Sequence, residues 1–438
     1  MPTPEAVRRL SAPIAPALSI IVDLDNEIAA VDGSAHRSVL ILARRAERPI
    51  AELAVALPPG GLTSEQVGRA FADFDSTSAP ASHRHEQTDA PLTLEISVVV
   101  TTCGDPERLE PCLLSILDSS GVTVDVIVVD NRPADSRTRE LIDSRFATET
   151  RIRLVDEPRQ GLSFARNAGI AAATFDMVAW TDDDVLVDIH WLRFLAEGFG
   201  AAPDVGLVTG LVRPLELETD AQIWRETHRG YSKGFARRVW RLAEPPSDAP
   251  LFPYTTGQIG TGANMAASRA LLDQLRGFDV KLGAGTPAAG GEDLDLILRT
   301  LESGAAVLYE PAAIVSHRHH RDVEDLRSQA RSYGIGLASY LCTVVTSEPR
   351  RIPVLMAKLP VAVRHLRRLR RGNDGAPSDG GLARRLRIAE SQGLSIGFWR
   401  HVTRPFRRRV DSGQAAVAVR PDRSRTDPSP RPDRFAGP

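Results

Sequence analysis

Three consecutive aspartates, Asp182, Asp183 and Asp184, are the part of this sequence best suited to do chemistry. They follow the mostly apolar segment 178–181, a pattern typical of a buried strand that surfaces at a site. If the chain stays extended, Asp182 and Asp184 share one face, because side chains alternate along a strand. Two carboxylates on one face favour a cation between them, and oxygen ligands favour Mg²⁺ or Mn²⁺. A polar turn or a helix cap is the alternative that the triplet alone leaves open.

A second acidic pair, Glu292 and Asp293, stands at the predicted start of a helix. The stripe that identifies this helix consists of Leu294, Ile297, Leu298 and Leu301. Gly290 and Gly291 precede the pair and let the backbone approach a ligand closely. The helix dipole stabilises a charged carboxylate at this position, so Asp293 is expected to be ionised and able to accept a proton. Simple capping of the helix is the alternative.

The elements that would position these residues begin at Leu92, where apolar strands start to alternate with helical segments. The predicted strands are 94–101, 122–129, 152–155, 177–181 and 305–309. Continuous apolar strands separated by helices predict an α/β fold with a mainly parallel sheet covered on both faces. Thr101, Asp130 and Asp182 lie at carboxyl ends of these strands, where such sheets bind ligands. The sequence therefore predicts one shared site at that edge.

Taken together, these residues resemble a family 2 glycosyltransferase with the nucleotide-sugar-binding, Rossmann-like GT-A fold. The resemblance covers roughly Leu94 to Arg321, about half of the chain. In family order, the matching parts are the strand 97–101, Val128-Val-Asp-Asn131, the segment 161–169, the DXD element Asp182-Asp-Asp184, Gly277-Phe-Asp279, the ED element Glu292-Asp293 and a late histidine. Each part alone is weak, and their ordered conjunction carries the resemblance.

The resemblance implies a divalent metal, Mn²⁺ or Mg²⁺, held by the DXD aspartates. Asp184 and Asp182 would be its ligands, and Asp182 and Asp183 would also face the donor. His317 resembles the late histidine that completes the metal shell in relatives, with His319 as the second choice. The alternative for both histidines is a basic surface cluster with their neighbours.

The resemblance also implies a nucleotide site. Asp130 matches the acid that hydrogen-bonds the nucleoside, although a turn at Asp130 and the next residue is compatible with the same sequence. Thr101 and Cys103 would line the base pocket, and Cys103 stands where relatives often have an aromatic residue. Arg166 would contact the nucleotide, and an ordinary helix arginine is its alternative.

In the family, the second residue of the ED element takes the proton of the acceptor hydroxyl, which here is Asp293, with Glu292 beside it. The implied reaction is a single displacement with inversion at the anomeric carbon. The donor would be a nucleoside-diphosphate sugar, and the acceptor a glycan, a lipid-linked molecule or a small molecule. Two other functions stay open: a non-catalytic nucleotide-sugar-binding subunit of a cell-envelope glycan assembly, and a nucleotidyltransferase. The loop after the first strand lacks the basic phosphate loop expected of the latter.

The sequence predicts five parts. They are a small α+β module at 1–79, a linker at 80–91, the catalytic domain at 92–321, a helical basic extension at 322–410 and a disordered tail at 411–438. Within them, the sequence predicts strands at 18–22 and 38–42 and a helix at 322–345. The segment 213–260 is less regular and is predicted to be a loop-rich acceptor region. The arginine-rich extension suits anionic lipid headgroups, and a solvated face against the catalytic domain is the alternative.

Composition narrows the function classes. A formal net charge of -2 over 438 residues gives no global attraction to nucleic acid, so we expect no nucleic-acid partner. Three cysteines form no closely spaced framework, which fits a reducing compartment and disfavours a structural zinc site. We see neither a signal peptide nor an apolar run long enough to span a bilayer. These features predict a cytoplasmic protein, with peripheral attachment to the inner face of the membrane as a further expectation.

Overall fold

The structure, a computed structural model, describes residues 7–74, 94–372 and 381–403. The described residues up to His401 form one compact unit, which contains both of the sheets described below. The predicted linker at 80–91 and the predicted tail at 411–438 lie outside the described residues.

A four-stranded sheet and one helix form the N-terminal module. Its elements are β1 (Arg9–Leu10), β2 (Ala17–Asp23), β3 (Ser38–Arg45), β4 (Arg48–Ala56) and α1 (Ser64–Ala70). The strand order is β1-β4-β3-β2, and β2 runs parallel to β3. Ile41 on β3 shares a core with Val67 and Phe71 around α1, which buries one face of the sheet. The strands predicted at 18–22 and 38–42 are therefore present.

The second sheet has nine strands. They are β5 (Glu95–Thr102), β6 (Thr123–Asp130), β7 (Ile152–Asp156), β8 (Met177–Asp182), β9 (Val185–Val187), β10 (Val205–Pro214), β11 (Arg238–Trp240), β12 (Met265–Ser268) and β13 (Ala306–His317). The order is β11-β13-β10-β12-β8-β5-β6-β7, with β9 paired to β13. Strands β5, β6, β7, β8, β10 and β13 run one way, and β9, β11 and β12 run the other way. The prediction of a mainly parallel sheet is confirmed.

Helices cover both faces of this sheet, as expected. They are α2 (Pro106–Leu117), α3 (Arg137–Arg145), α4 (Leu162–Ala172), α5 (Trp191–Gly198), α6 (Asp220–Arg229), α7 (Arg269–Leu275) and α8 (Glu292–Glu302). Apolar residues of α2, α3 and α5 share one core with the sheet, and those of α4, α7 and α8 share the other. The α/β class is confirmed.

Helix α2 shows how local chemistry sets these elements. Asp105 precedes the helix, and its carboxylate accepts the backbone N–H of Arg108 at 3.4 Å, while Pro106 occupies the first helical position. Pro111 is the sixth residue of the helix, so it lies beyond the first turn. The Asp105 cap and Pro106 together define the start of the helix.

The last strand of the sheet is longer than predicted. The strand expected at 305–309 continues as β13 to His317, and Pro311 lies where its pairing with β10 is irregular. A bulge tolerates proline because no ladder hydrogen bond is required there. The region 213–260 is rich in loops, as predicted, and it also contains α6 and β11.

Three further helices follow, α9 (Val323–Ser347), α10 (Ile352–Gly372) and α11 (Leu382–Thr403). The helix expected at 322–345 corresponds to α9. Among the described residues, no helix combines the length and the apolar character that crossing a bilayer requires.

Candidate active site

Three neighbouring strands end in polar residues at the same edge of the large sheet. Thr102 at the end of β5 pairs in register with Asp130 at the end of β6, and Thr101 pairs with Asp182 at the end of β8. Because these strands are parallel and adjacent, their carboxyl ends lie side by side. The predicted clustering of Thr101, Asp130 and Asp182 is therefore found.

The aspartate triplet does not continue as an extended strand. Strand β8 ends at Asp182, and Asp183 and Asp184 form the turn into β9. Strand β9 pairs with the end of β13, with Val185 opposite His317, and the Arg318 N–H donates to the Asp184 carbonyl at 3.1 Å. The pairing of β9 with β13 makes the chain reverse here. The turn, and not strand alternation, brings Asp184 to the last residue of β13.

Asp182, Asp184 and His317 form a cluster whose ligand atoms all lie within 4.8 Å of one another. His317 Nε2 is 3.5 Å from Asp184 Oδ1. The other ring nitrogen, Nδ1, is buried and has no hydrogen-bond partner among the described residues. Two carboxylates and one imidazole are ligands that a divalent ion such as Mn²⁺ accepts. The side chains fit a metal site, and each of the three residues predicted as a ligand is part of it.

Asp183 points away from this cluster. Its carboxylate accepts the Thr102 hydroxyl at 2.6 Å. The pKa of Asp183 is raised to about 7, mainly by burial; the charges of Asp184 and Asp182 contribute to this rise, and the hydrogen bond from Thr102 opposes it. Asp183 thus belongs to the neighbouring cleft.

That cleft has a volume of about 740 Å³ and an open, polar lining. Its walls are Cys103, Gly104, Asp105, Pro106, Glu107, Arg108, Arg132, Arg137 and Asp183. The sequence analysis named Cys103 and Asp183 but missed the three arginines, which follow no periodic pattern. Arg108 Nη1 is 3.8 Å from Asp184 Oδ2, so the cleft opens directly beside the metal cluster.

Asp130 is almost fully buried, and its Oδ1 accepts the Arg132 N–H at 2.8 Å. This is the turn that the sequence left open; nucleoside binding by Asp130 and Thr101 stays a prediction. Asn131, which was only quoted as part of a motif, has a clear structural role. Its side chain donates to the Glu157 and Arg159 carbonyls and accepts the Gly161 N–H, all within 2.9 Å. It thereby fixes the start of α4.

Arg166 on α4 joins the two acidic elements. Its guanidinium lies 3.2 Å from Asp182 Oδ1 and 3.0 Å from Glu292 Oε1, and its side chain is only 2% exposed. It also donates to the Gly262 carbonyl at 3.1 Å. These contacts occupy the guanidinium, and a nucleotide contact by Arg166 stays a prediction. Burial and the Asp293 charge raise the pKa of Glu292, while Arg166 opposes them.

Asp293 occupies the first turn of α8. Its Oδ2 accepts the Gly262 N–H at 2.9 Å and its Oδ1 accepts the Leu294 N–H at 2.8 Å. Gly262 therefore holds Asp293 through its N–H and Arg166 through its carbonyl. A Cβ at Gly262 would lie 2.8 Å from Arg166 Nη1, so a larger residue there would displace the guanidinium from its present position. This backbone link was not visible in the sequence.

Gly291, just before α8, lets the start of this helix lie close to the backbone of α9. It has a φ of +88°, and a Cβ there would lie 2.8 Å from the Gly336 carbonyl oxygen on α9. Most residues are strained at this φ, and this contact leaves no room for a methyl group. The start of α8 is therefore set by backbone contact with α9.

Lys233, in the segment 230–237 before β11, is a further charged group that the sequence analysis missed. Its pKa is lowered to about 8, mainly by burial; the charge of Arg225 contributes to this decrease, and the carboxylate of Asp293 opposes it. The amine thus lies within electrostatic range of Asp293. A lysine in an irregular segment belongs to no periodic pattern, so the sequence could not predict this interaction with Asp293.

His319, the second choice as a ligand, is not part of the cluster. Its Nε2 lies 2.9 Å from Glu226 Oε2, and its ring is 5.7 Å from that of His317. Glu226 on α6 turns this nitrogen away from Asp184. His317 therefore fits the metal site better than its neighbour.

A comparison with known families bears on this geometry. The family model for glycosyl transferase family 2 matches residues 97–276, which include β5 to β8 and the DXD turn. Residues 97–276 make up a family 2 glycosyltransferase domain. The motifs from the strand 97–101 to the DXD element lie within this match, and they include two of the three cluster residues. Gly277-Phe-Asp279, the ED element and the late histidine follow the matched residues.

The relatives of this chain include a glycosyltransferase and a succinoglycan biosynthesis protein. The pre-mycofactocin glycosyltransferase of Mycobacterium tuberculosis is 30% identical over 214 residues, which are 48% of this chain and 40% of the relative. Succinoglycan biosynthesis protein ExoM of Rhizobium meliloti is 30% identical over 227 residues, 51% of this chain and 66% of the relative. The chain thus spans well under half of the first of these relatives. Both alignments cover only about half of the chain, so they bear on the glycosyltransferase domain alone.

Among solved structures, the mannosyltransferase PcManGT of Pyrobaculum calidifontis, solved with GDP-Man and Mn²⁺, is similar at 19% identity and a TM-score of 0.44. The alignment covers 72% of this chain and 88% of that one. This likeness is too weak to transfer details of fold or ligands. The glycosyltransferase domain is therefore interpreted below from its own residues.

Proposed function

We propose that this protein is a metal-dependent, inverting glycosyltransferase that moves a sugar from a nucleoside diphosphate to a hydroxyl of an acceptor. The observation that carries the proposal is the connection from the Asp182, Asp184 and His317 cluster through Arg166 to the start of α8, where Asp293 lies. One buried guanidinium thereby contacts Asp182 of the metal cluster, Glu292 beside the candidate base, and the Gly262 carbonyl, while the Gly262 N–H donates to Asp293.

Asp182, Asp184 and His317 are the proposed metal ligands. A bound divalent ion supplies positive charge that stabilises the departing diphosphate. The cleft beside Asp184 is the proposed donor site, with Cys103 and Asp183 in its wall. Arg108 and Arg132 give this cleft cationic groups suited to phosphate oxygens.

Asp293 is the proposed base. Its carboxylate takes the proton of the acceptor hydroxyl while the hydroxyl oxygen bonds to the anomeric carbon. The bond from that carbon to the phosphate oxygen breaks, and its electron pair leaves with the diphosphate. Glu292 is buried against Arg166, which supports a positioning role and leaves Asp293 to act alone. One acting carboxylate fits a single displacement with inversion.

The acceptor is a glycan, a lipid-linked molecule or a small molecule, and the segment 230–237 with Lys233 is the proposed acceptor side. We also propose that α10 rests on an anionic membrane surface. Ile352, Val354, Met356 and Leu359 on this helix are exposed, Met356 by 62%, and Lys358 and Arg364 lie among them. Apolar groups that can enter an interface beside cations suit such a surface.

The test is a screen of uridine, guanosine and thymidine diphosphate sugars with and without Mn²⁺. Thermal unfolding identifies the donor, since a ligand of the native state raises the melting temperature. Release of the nucleoside diphosphate from that donor, dependent on Mn²⁺, is the expected result. A donor that binds with Mn²⁺ but is never cleaved, with any acceptor extract, would instead favour a non-catalytic binding subunit.

A further inference from the structure

His317 is the last residue of β13, and its backbone is held by β10. Pro214 pairs with His317 in the parallel ladder, and Arg213 pairs with Ser316. The Leu215 N–H donates to the His317 carbonyl at 2.9 Å. Any displacement of residues 213–215 would therefore move the imidazole that belongs to the metal cluster.

Strand β2 of the N-terminal module contacts the same segment along its length. The Ser19 hydroxyl donates to the Pro214 carbonyl at 2.6 Å, and the Ala17 N–H donates to the Leu217 carbonyl at 2.9 Å. Apolar packing adds to this, since Ala17 and Leu217 share a small buried cluster. The module thus acts as a support for the end of β10.

A buried charged side chain also joins β10 to the N-terminal module. The side chain of Arg213 is 4% exposed; it donates to the Ile20 carbonyl at 2.9 Å, and its Nε lies 3.8 Å from Glu52 Oε1 on β4. Burial raises the pKa of Glu52, and Arg213 opposes that rise. A buried guanidinium needs a carboxylate nearby, and the module supplies Glu52.

Charged and aromatic side chains connect Arg213 to the metal cluster. Glu226 on α6 interacts electrostatically with both Glu52 and Arg213, and it is bonded to His319. The Tyr231 ring lies 5.6 Å from the His317 ring and 5.9 Å from the His319 ring. The two histidine side chains are therefore enclosed between α6, Tyr231 and the end of β10.

We propose that Arg213 and Glu52 are positioning residues for the metal-binding His317, and that the N-terminal module is a structural part of the active site. The inference rests on the proposed metal site. Glu52 holds Arg213, Arg213 and Ser19 hold the end of β10, and β10 holds His317. Groups that hydrogen-bond a metal ligand directly typically contribute about 10- to 100-fold in metal affinity, and we expect the lower end of this range for groups that act through a strand.

The experiment measures Mn²⁺ affinity of the full chain without nucleotide, from the electron paramagnetic resonance signal of free Mn²⁺. Glu52→Gln is compared with Asp204→Asn, which weakens the ion pair of Asp204 with Arg241 next to the opposite end of β10. Melting temperatures are recorded for both. We expect about 10-fold weaker Mn²⁺ binding for Glu52→Gln and wild-type affinity for Asp204→Asn. Ser19→Ala, which removes one hydroxyl, should show a smaller loss in the same direction.

Wild-type Mn²⁺ affinity in both Glu52→Gln and Ser19→Ala would overturn the inference, whatever happens to the melting temperature. If Glu52→Gln does not fold, the Ser19→Ala result decides. Failure of the proposed function has a different signature, since the wild-type chain itself would then bind no Mn²⁺. His317→Ala provides the reference for complete loss of the imidazole ligand.

Discussion

Arg166 Nη2 lies 3.2 Å from Asp182 Oδ1, and the same guanidinium contacts Glu292 at the start of α8. Arg166 thereby connects the DXD element to the helix that carries the candidate base. The guanidinium is planar and reaches Asp182, Glu292 and the Gly262 carbonyl at once. Most of the predictions about catalysis therefore depend on the contact between Arg166 and Asp182.

Arg166→Lys should reduce transfer by at least about a hundredfold and lower the melting temperature. A lysine ammonium is a point charge that cannot span both carboxylates, and a buried pair that loses a partner costs about 3–5 kcal/mol of folding free energy. Arg159→Lys is the matched control, because Arg159 is exposed and pairs with Glu157 nearby in the same segment. Equal losses of activity in the two variants would contradict the bridging role.

Asp293→Asn should leave nucleotide affinity unchanged and reduce transfer by at least about a hundredfold, the usual scale of a general base. The asparagine oxygen can still accept the Gly262 N–H, so the fold of this junction is expected to survive. Asp295→Asn, two residues along α8 and paired with Arg299, controls for loss of charge on the helix. Turnover near that of the wild type in Asp293→Asn would exclude Asp293 as the base.

Asp184→Asn should weaken the Mn²⁺-dependent binding of the nucleoside diphosphate by at least about tenfold, while binding without metal stays the same. The change removes one of two carboxylates of the cluster and alters the shape of the turn little. Asp176→Asn, at the exposed residue before β8, is the control. Calorimetric titration with and without Mn²⁺ measures both affinities, and an unchanged metal dependence would count against the cluster.

Lys233 gives a prediction about pH. Its pKa is about 8 in the folded protein and near 10.5 when the chain unfolds, so between these values the unfolded chain binds more protons. Stability from this residue therefore rises as the pH increases from 8 to 10.5. Relative to Lys233→Met, the free energy of unfolding of the wild type should increase across this range in urea titrations. Parallel pH profiles for the two proteins would show that the amine is not buried beside Arg225.

Leu359→Glu on α10 should reduce sedimentation of the full chain with vesicles that contain phosphatidylglycerol. The substitution places a negative charge on an exposed apolar residue of the proposed membrane surface. Leu114→Glu, at an exposed leucine of α2, is the matched control and should sediment like the wild type. Identical sedimentation of both variants would argue against a membrane contact through α10.

The sequence predicted those parts of the site that follow from local pattern. Apolar strands that end in Asp130 and Asp182 define the edge of the sheet, and the histidine after the last strand falls within the metal cluster. The roles of Gly262 and Arg166 could not be predicted, because they depend on contacts between segments about a hundred residues apart. The sequence left an extended strand and a polar turn both open at Asp183, since three aspartates carry no signal that β9 pairs back onto β13.

The surface on which the N-terminal module packs could not be predicted, for the same reason. Its strands were predicted, but the alternation of apolar residues says nothing about which surface a sheet will contact. Its attachment to β10 depends on a buried arginine and one serine hydroxyl, neither of which belongs to a motif.

The contact between Gly291 and the Gly336 backbone also limits how this protein can be redesigned. The start of α8 and α9 meet through their main chains, so a side chain at either glycine would push them apart. Engineering toward a new acceptor must therefore leave both glycines intact. Substitutions in the segment 230–237, beginning with neighbours of Lys233, are the changes best suited to altering acceptor choice.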